Sequence, residues 1–407
     1  MIISFRFRNF RSFLDETFID MKAVNYKEHP NHLVMTGNKK LMKTLAVYGA
    51  NSSGKTNLFL AFASFHSFIF WQLFSMEDIP RKHFMSLLQI SSLDKILPFL
   101  DEDSNSQPTE MELSFISGEQ VYEYGFSVLK GKILSENMAV DNHVVYTRNG
   151  DEITIGRQYE KILRQRTGIL PREDRLFSSI LSCLDIPEIT AIMEPFETFF
   201  SKQIAYYCDF LEPFQLAGHL IMDGRAYKAL ENPEALNYAL AQLRKLGIPA
   251  VEFIVEKGLP KLGYRVKSRE TGQFQIQYRD YTKVSMGTMK YLQLFIQVYH
   301  LSQRGGGILI IDNISNEFHP AVTKFFIDTF QQDQNSNIQI IFTTYDISIL
   351  NNQQFRRDEV AFVDMNEYHE SRLYTLADIK VRSDASFSKD YLLGKYGAIP
   401  LLKECIF

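Results

Sequence analysis

The 407-residue chain contains only three cysteines, Cys183, Cys208 and Cys405. They are widely spaced and lack any C-x-x-C pairing, so neither a disulfide framework nor a zinc site is indicated, and thiols in a reducing cytosol are expected. Tryptophan is almost absent: Trp71 stands alone beside 33 Phe and 20 Tyr, so phenylalanine must supply much of the apolar core. Long hydrophobic runs are missing too. The nearest approach to a spanning helix, Phe59 to Phe74, is interrupted by Ser64, His66, Ser67 and Gln72, and no membrane contact is expected. The opening MIISFRFRNFRSF carries an arginine every two or three residues without an apolar h-region, so no signal peptide is expected and a cytoplasmic location is. Neither charge sign is in large excess. A net charge of −4 and a pI of about 6.2 argue against a surface that coats nucleic acid everywhere, because such binding is charge-driven. The nine histidines show no paired metal spacing. No acidic cluster of the two-metal nuclease kind, internal repeat, low-complexity tract or sustained heptad pattern occurs.

What is present is a globular composition, 45% apolar and 23% charged, with length for two or three domains or for one large domain carrying an insertion. IISFRFRNF at 2–10 reads as a strand and FLDETFIDM at 13–21 as its partner. TLAVYG at 44–49 reads as a strand running into a glycine- and serine-rich turn and then a long apolar helix. Residues 77–110 are polar, with DEDSNSQP at 101–108 the most loop-like segment, and 111–155 is strand-rich. Between 157 and 245 the pattern becomes mixed helical. Strands return at 250–281 with a hairpin around Glu270-Thr271-Gly272, followed by helix, the strand GGGILIID, helix and the strand IQIIFTT at 338–344. Buried strands alternating with helices indicate a parallel sheet with crossovers. The expectation is therefore an α/β head built from residues 1–156 and 246–407, with a strand-rich subdomain and a largely helical lobe inserted at 157–245.

Gly49-Ala50-Asn51-Ser52-Ser53-Gly54-Lys55-Thr56 fits G-x-x-x-x-G-K-[ST] and lies between a strand and a helix, as a phosphate-binding loop requires. The glycines let backbone N–H groups face a β-phosphate, and the helix N-terminus adds partial positive charge. Lys55 is expected to reach the β- and γ-phosphates of ATP and Thr56 to coordinate Mg²⁺. The candidate nucleotide-binding residues are Gly49, Asn51, Ser52, Ser53, Gly54, Lys55, Thr56 and Asn57. Ile308-Leu309-Ile310-Ile311-Asp312 is a buried strand ending in a carboxylate, the expected second half of such a site, with Asp312 turned to Mg²⁺ through a water. Ser285-Met286-Gly287-Thr288 precedes a helix and has two readings: an ordinary N-cap, or a Ser-x-Gly signature whose helix end faces a γ-phosphate held by another subunit.

Taken together, NFRSF at 9–13, GANSSGKTN at 49–57, SMGT at 285–288, LIIDNISNEFHP at 309–320, FTTYD at 342–346 and the tail from Arg372 to Leu402 resemble the ABC-type ATPases of bacterial abortive-infection and anti-phage systems. These are AAA-type ATP-binding proteins related to RecF, SMC and OLD-family heads. The resemblance covers both ends of the chain and weakens between 150 and 250. It implies a P-loop head that dimerises, or forms a higher oligomer, around ATP, with Ser285, Gly287 and Thr288 acting in trans. It also implies a partner effector, a nuclease or toxin. Where that family has a glutamate after the metal aspartate, this chain has Asn313; where it has the histidine of FTTHD, this chain has Tyr345. A general base contributes about 10²–10⁴-fold in rate, so the implied protein binds ATP and hydrolyses it slowly or not at all. Glu317 reads as an exposed loop residue rather than a substitute base, and His319 as structural.

The leading expectation is an ATP-binding regulatory or sensor subunit of an abortive-infection system. An active ATPase acting on DNA in repair, and a scaffold with vestigial nucleotide binding, are the alternatives. Residues 1–55 carry nine Lys/Arg against four Asp/Glu, including Arg6, Arg8, Arg11, Lys22, Lys27, Lys39, Lys40 and Lys43. Solvated strand faces, rather than a DNA track, are the expected reading of that excess.

Overall fold

The computed structural model describes residues 1–74, 98–99, 106–163, 172–208, 232–256, 259–280, 283–332 and 337–400. Most of the polar segment at 77–110, and Cys405, lie outside them. The chain begins with β1 (Ile2–Arg8), β2 (Thr17–Asp20), β3 (Leu33–Thr36), β4 (Lys39–Met42), β5 (Thr44–Tyr48) and α1 (Lys55–Leu73). Five strands follow: β6 (Thr109–Ser117), β7 (Gln120–Leu129), β8 (Lys132–Val140), β9 (His143–Asn149) and β10 (Glu152–Ile155). The middle segment contains α2 (Glu160–Leu163), α3 (Phe177–Leu181), α4 (Pro187–Lys202), β11 (Ile204–Tyr207) and α5 (Pro233–Lys245). Then come β12 (Ala250–Glu256), β13 (Leu259–Lys267), β14 (Phe274–Asp280), α6 (Met286–Gln303) and β15 (Gly307–Ile311). The chain continues through α7 (Pro320–Gln332), β16 (Ile338–Thr343), β17 (Val360–Met365), β18 (Ser371–Thr375) and α8 (Phe387–Leu392).

Two large sheets organise this α/β head. One is antiparallel, in the order β10-β9-β8-β7-β6-β1-β2; the other runs β11-β15-β16-β5-β17-β18 and is parallel except at its last pair. The amino-terminal β5 lies between β16 and β17, so both ends of the chain build one sheet. Period-two alternation explains how this sheet is covered on both faces. Ile308 and Ile310 face a core shared with α1, α4 and the antiparallel sheet, while Leu309 and Ile311 face α5, α6, α7 and α8. The first core is dominated by phenylalanine: Phe5 stacks on Phe62 at 4.2 Å, Phe65 on Phe126 at 5.3 Å and Phe115 on Phe199 at 3.9 Å. Gln339, buried in β16, ties the sheets together by accepting from the Ile2 amide at 2.6 Å and donating to the Ile2 carbonyl at 3.0 Å.

The described part of 157–245 is mostly helical. α4 turns Ile189, Ile192, Met193, Phe196, Phe199 and Phe200 to one side, a helical-period stripe that finds burial only between the two sheets. β11 then pairs with β15, Ile204 opposite Ile308, as an edge of the parallel sheet. Among the described residues, no helix is long and apolar enough to cross a membrane. Cys183 is exposed and Cys208 buried, and neither is in a disulfide among the described residues.

Candidate nucleotide site

The site forms at the carboxyl ends of three adjacent parallel strands, where open α/β sheets usually place ligands. β5 delivers the loop 49–54, β15 delivers Asp312, and β16 delivers Thr343, Thr344 and Tyr345. A cavity of about 420 Å³ joins Asn51, Ser52, Gly54, Lys55, Thr56 and Asn57 to Asp312, Asn313 and Tyr345.

Gly54 adopts φ +107, and a side chain there would collide with the hydroxyls of Ser371 and Ser12. That crowding is part of the loop's support: the Ser371 hydroxyl donates to the Ser53 carbonyl at 2.7 Å and accepts from the Ser12 hydroxyl at 2.8 Å, while Asn57 Nδ2 donates to Ser12 Oγ at 2.8 Å. The motif NFRSF thus braces the loop from beneath. No side chain caps the amino end of α1, leaving its first-turn N–H groups to an external acceptor. The Ser53 hydroxyl is buried without a hydrogen-bond partner among the described residues. Lys55 curls over the loop and donates to the Gly49 and Ala50 carbonyls at 2.8 and 2.6 Å. Burial lowers its pKa to about 8, with Asp312 opposing the shift. Donors, a positive helix end and a poised ammonium fit a polyphosphate.

Asp312 is buried; Oδ1 accepts from Thr343 Oγ1 at 2.5 Å and Oδ2 from Thr56 Oγ1 at 3.0 Å. Hydroxyl and carboxylate converge as a magnesium site coordinated by Thr56, with Asp312 holding one of its waters, would require. Thr343 is a functional residue that sequence reasoning passed over. It orients the carboxylate and also accepts from the Asn313 amide at 2.8 Å. Its place in the FTTYD motif was the available signal.

Asn313 sits at φ +57, in the left-handed region that Asn tolerates better than most residues. Tyr345 is half-exposed on the opposite wall. Glu317 is exposed on the loop after Asn313, and His319 Nδ1 accepts from the Ala321 amide at 3.2 Å at the start of α7. Ser285 is an N-cap, accepting from the Thr288 amide at 3.3 Å and exchanging a 2.7 Å hydroxyl bond with Thr288. Gly287 packs so closely on the loop that a side chain would lie 2.5 Å from the Glu317 carbonyl. Below it, buried Lys290 donates to the Asn313 and Asn316 carbonyls at 2.8 and 2.9 Å and lies over the rings of Tyr207 and Phe318. Helix α6 and the loop carrying Asn313 are therefore clamped together. Lys290 was not anticipated, since a lysine in a helix ordinarily points to water.

Three of the amino-terminal basic residues are engaged within the chain. Arg6 bonds Glu112 at 2.6 Å and Glu16 at 3.4 Å, Arg8 donates to Gln107 at 3.1 Å, and Lys43 is fully buried.

A family model described as "AAA domain, putative AbiEii toxin, Type IV TA system" matches residues 45–170 and 209–351. No curated protein matches the chain. Solved structures similar to it include the SMC head domain from Thermotoga maritima, at 10% identity over 92% of this chain and 98% of that one, TM-score 0.41. An SMC head bound to the C-terminal winged-helix domain of ScpA matches at 13% identity, covering 93% and 99%, TM-score 0.42. An SMC head with an extended coiled coil, bound to the C-terminal domain of ScpA from Pyrococcus furiosus, matches at 11% identity, covering 97% and 98%, TM-score 0.42.

Proposed function

The chain belongs to the AAA-domain family of the AbiEii type, whose model spans most of its length, and on that premise we propose that it is an ATP-binding regulatory or sensor subunit of an abortive-infection defence system. In this reading ATP with Mg²⁺ occupies the cavity above α1 and joins two copies into a dimer. Hydrolysis is slow or absent, and the long-lived ATP state controls a partner effector. One observation carries the proposal: the cavity that gathers Lys55, Thr56 and Asp312 has an amide, Asn313, and a phenol, Tyr345, where the resembling ATPases have a carboxylate and an imidazole. An amide does not take a proton from water, whereas the groups that hold phosphate and metal are present.

Phosphate release from purified protein, measured beside equilibrium binding of Mg-ATP, tests this. Binding abolished by Lys55→Ala, with turnover far below one per second, is the expected result. Turnover of about one per second or faster, lost in Lys55→Ala, overturns the slow-hydrolysis reading in favour of an active ATPase. Failure to bind ATP removes the proposal altogether.

A further inference from the structure

The second half of the β12-β13-β14 sheet has no role in the nucleotide site. In its register Lys267 lies opposite Phe274, Arg265 opposite Ile276 and Gly263 opposite Tyr278, and residues directly opposite share a face. The reverse face is anchored: Leu262 is buried and Tyr264 partly buried against the core beside α5 and α6. The outer face is bare, with Phe274 60%, Ile276 46% and Tyr278 45% exposed. Three large apolar side chains in alternate positions of one edge strand are unusual on a surface, and they are not surrounded by neutral polar groups. On this face Lys261, Arg265 and Lys267 alternate along β13, opposite Asp280, Ile276 and Phe274, so the end toward the turn is cationic. Among the described residues, none of Arg265, Lys267 and Arg269 forms an ion pair with a carboxylate. The Arg265 guanidinium instead lies over the Phe274 ring, 4.4 Å from its centre.

The rings are also held in place. The Tyr278 hydroxyl donates to Glu252, which with Asp280 marks the acidic end of this face, and a side chain at Gly263 would lie 3.2 Å from Tyr278 Cε1 and 3.0 Å from Ile276 Cγ2. Glycine at 263 therefore lets the tyrosine lie close to the sheet.

We propose that the outer face of the β13–β14 hairpin binds single-stranded nucleic acid, with Phe274 and Tyr278 as stacking platforms for bases and Arg265 and Lys267 as phosphate contacts. The combination of a cationic surface and exposed rings suits a single strand, whose unpaired bases offer π-faces that a duplex hides. Two rings four residues apart on one strand face stand about 13 Å apart along it, with Ile276 as an apolar floor between them. An acidic protein partner would meet the same charges but gives no reason for exposed rings to stand beside them. This site is independent of the nucleotide reading, and circular dichroism of each variant, not nucleotide binding alone, reports that the chain is folded.

Fluorescence anisotropy of the full chain with labelled oligo(dT), oligo(rU) and a blunt duplex, at stepped salt, tests the inference. The expected result is single-strand binding that weakens with salt at a slope of about −0.7 per phosphate contacted; the tighter of the two oligomers names the source. Arg265→Glu combined with Lys267→Glu abolishes it. Phe274→Ala lowers affinity at least about fivefold, and Phe274→Trp retains it. Mg-ATP binding measured on each variant is a second control of the fold. The proposal is overturned if the wild type binds neither oligomer at low salt, if binding ignores these substitutions, or if the duplex binds more tightly. It is equally overturned if the variants change the sedimentation of the chain and not oligomer binding, which would make the face a protein interface.

Discussion

Lys55 donates to two carbonyls of its own loop while burial holds its pKa near 8. A bound polyphosphate stabilises the ammonium and raises that value, so ATP binding and Lys55 protonation are linked. Below pH 8 the ammonium is already charged and affinity is flat. Above it, binding requires uptake of a proton, and affinity falls by up to about tenfold per pH unit until the pKa of the bound state is reached. Titrations of a slowly hydrolysed ATP analogue at pH 7, 8 and 9 measure this, and Lys55→Arg, always charged, should flatten whatever binding it retains. A wild-type dissociation constant unchanged from pH 7 to 9 contradicts the linkage. Asn313 supports a second prediction at this scale. Its left-handed backbone suits Asn and Asp about equally, so Asn313→Asp restores a carboxylate without the strain a longer side chain would add. With Tyr345→His beside it, phosphate release should rise at least about tenfold; no rise means that hydrolysis is lost for another reason.

Among the elements, α6 bears most on how the site is held. Its Ser285 cap, the contact of Gly287 with the Glu317 carbonyl and the two bonds from Lys290 join the helix to the loop after Asp312. Lys290→Met keeps the stem and removes both bonds. The cost should be about 1–3 kcal/mol, measured as a lower melting temperature, with faster amide exchange confined to 313–317 and the P-loop. Unchanged exchange there would show that the glycine contact suffices. This clamp was invisible in the sequence because it depends on a lysine buried by its surroundings. The strand, loop and helix at 44–73 were legible, since glycine spacing and an apolar run specify them locally. β11 was not: Ile204–Tyr207 is four residues long and becomes a strand only because β15 offers it an edge. The hairpin around Gly272 was legible as a hairpin, but alternation alone does not say which of its faces is covered.

Across the whole molecule, the expected assignment of both chain ends to one sheet rested on buried strand runs, and β5 lying between β16 and β17 realises it. Over 157–245 periodicity reveals an apolar stripe on α4 but not what covers it, which is the space between the two sheets. The amino end of α6 is open to solvent: Ser285 is exposed and Met286 62% exposed. If the two-copy reading holds, this exposed helix end takes its anionic phosphate from the site of the second chain. Dimerisation should therefore depend on ATP. Light scattering is expected to give a monomer without nucleotide and a dimer with Mg-ATP, and slow hydrolysis should keep that dimer intact over a chromatographic run. Met286→Glu places a carboxylate at the exposed end without touching the P-loop. It should leave nucleotide binding by the monomer in place while weakening the dimer at least about tenfold, because like charges at a closing interface are strongly unfavourable. A dimer equally stable in Met286→Glu, or formed without nucleotide, would mean that the copies meet through another surface.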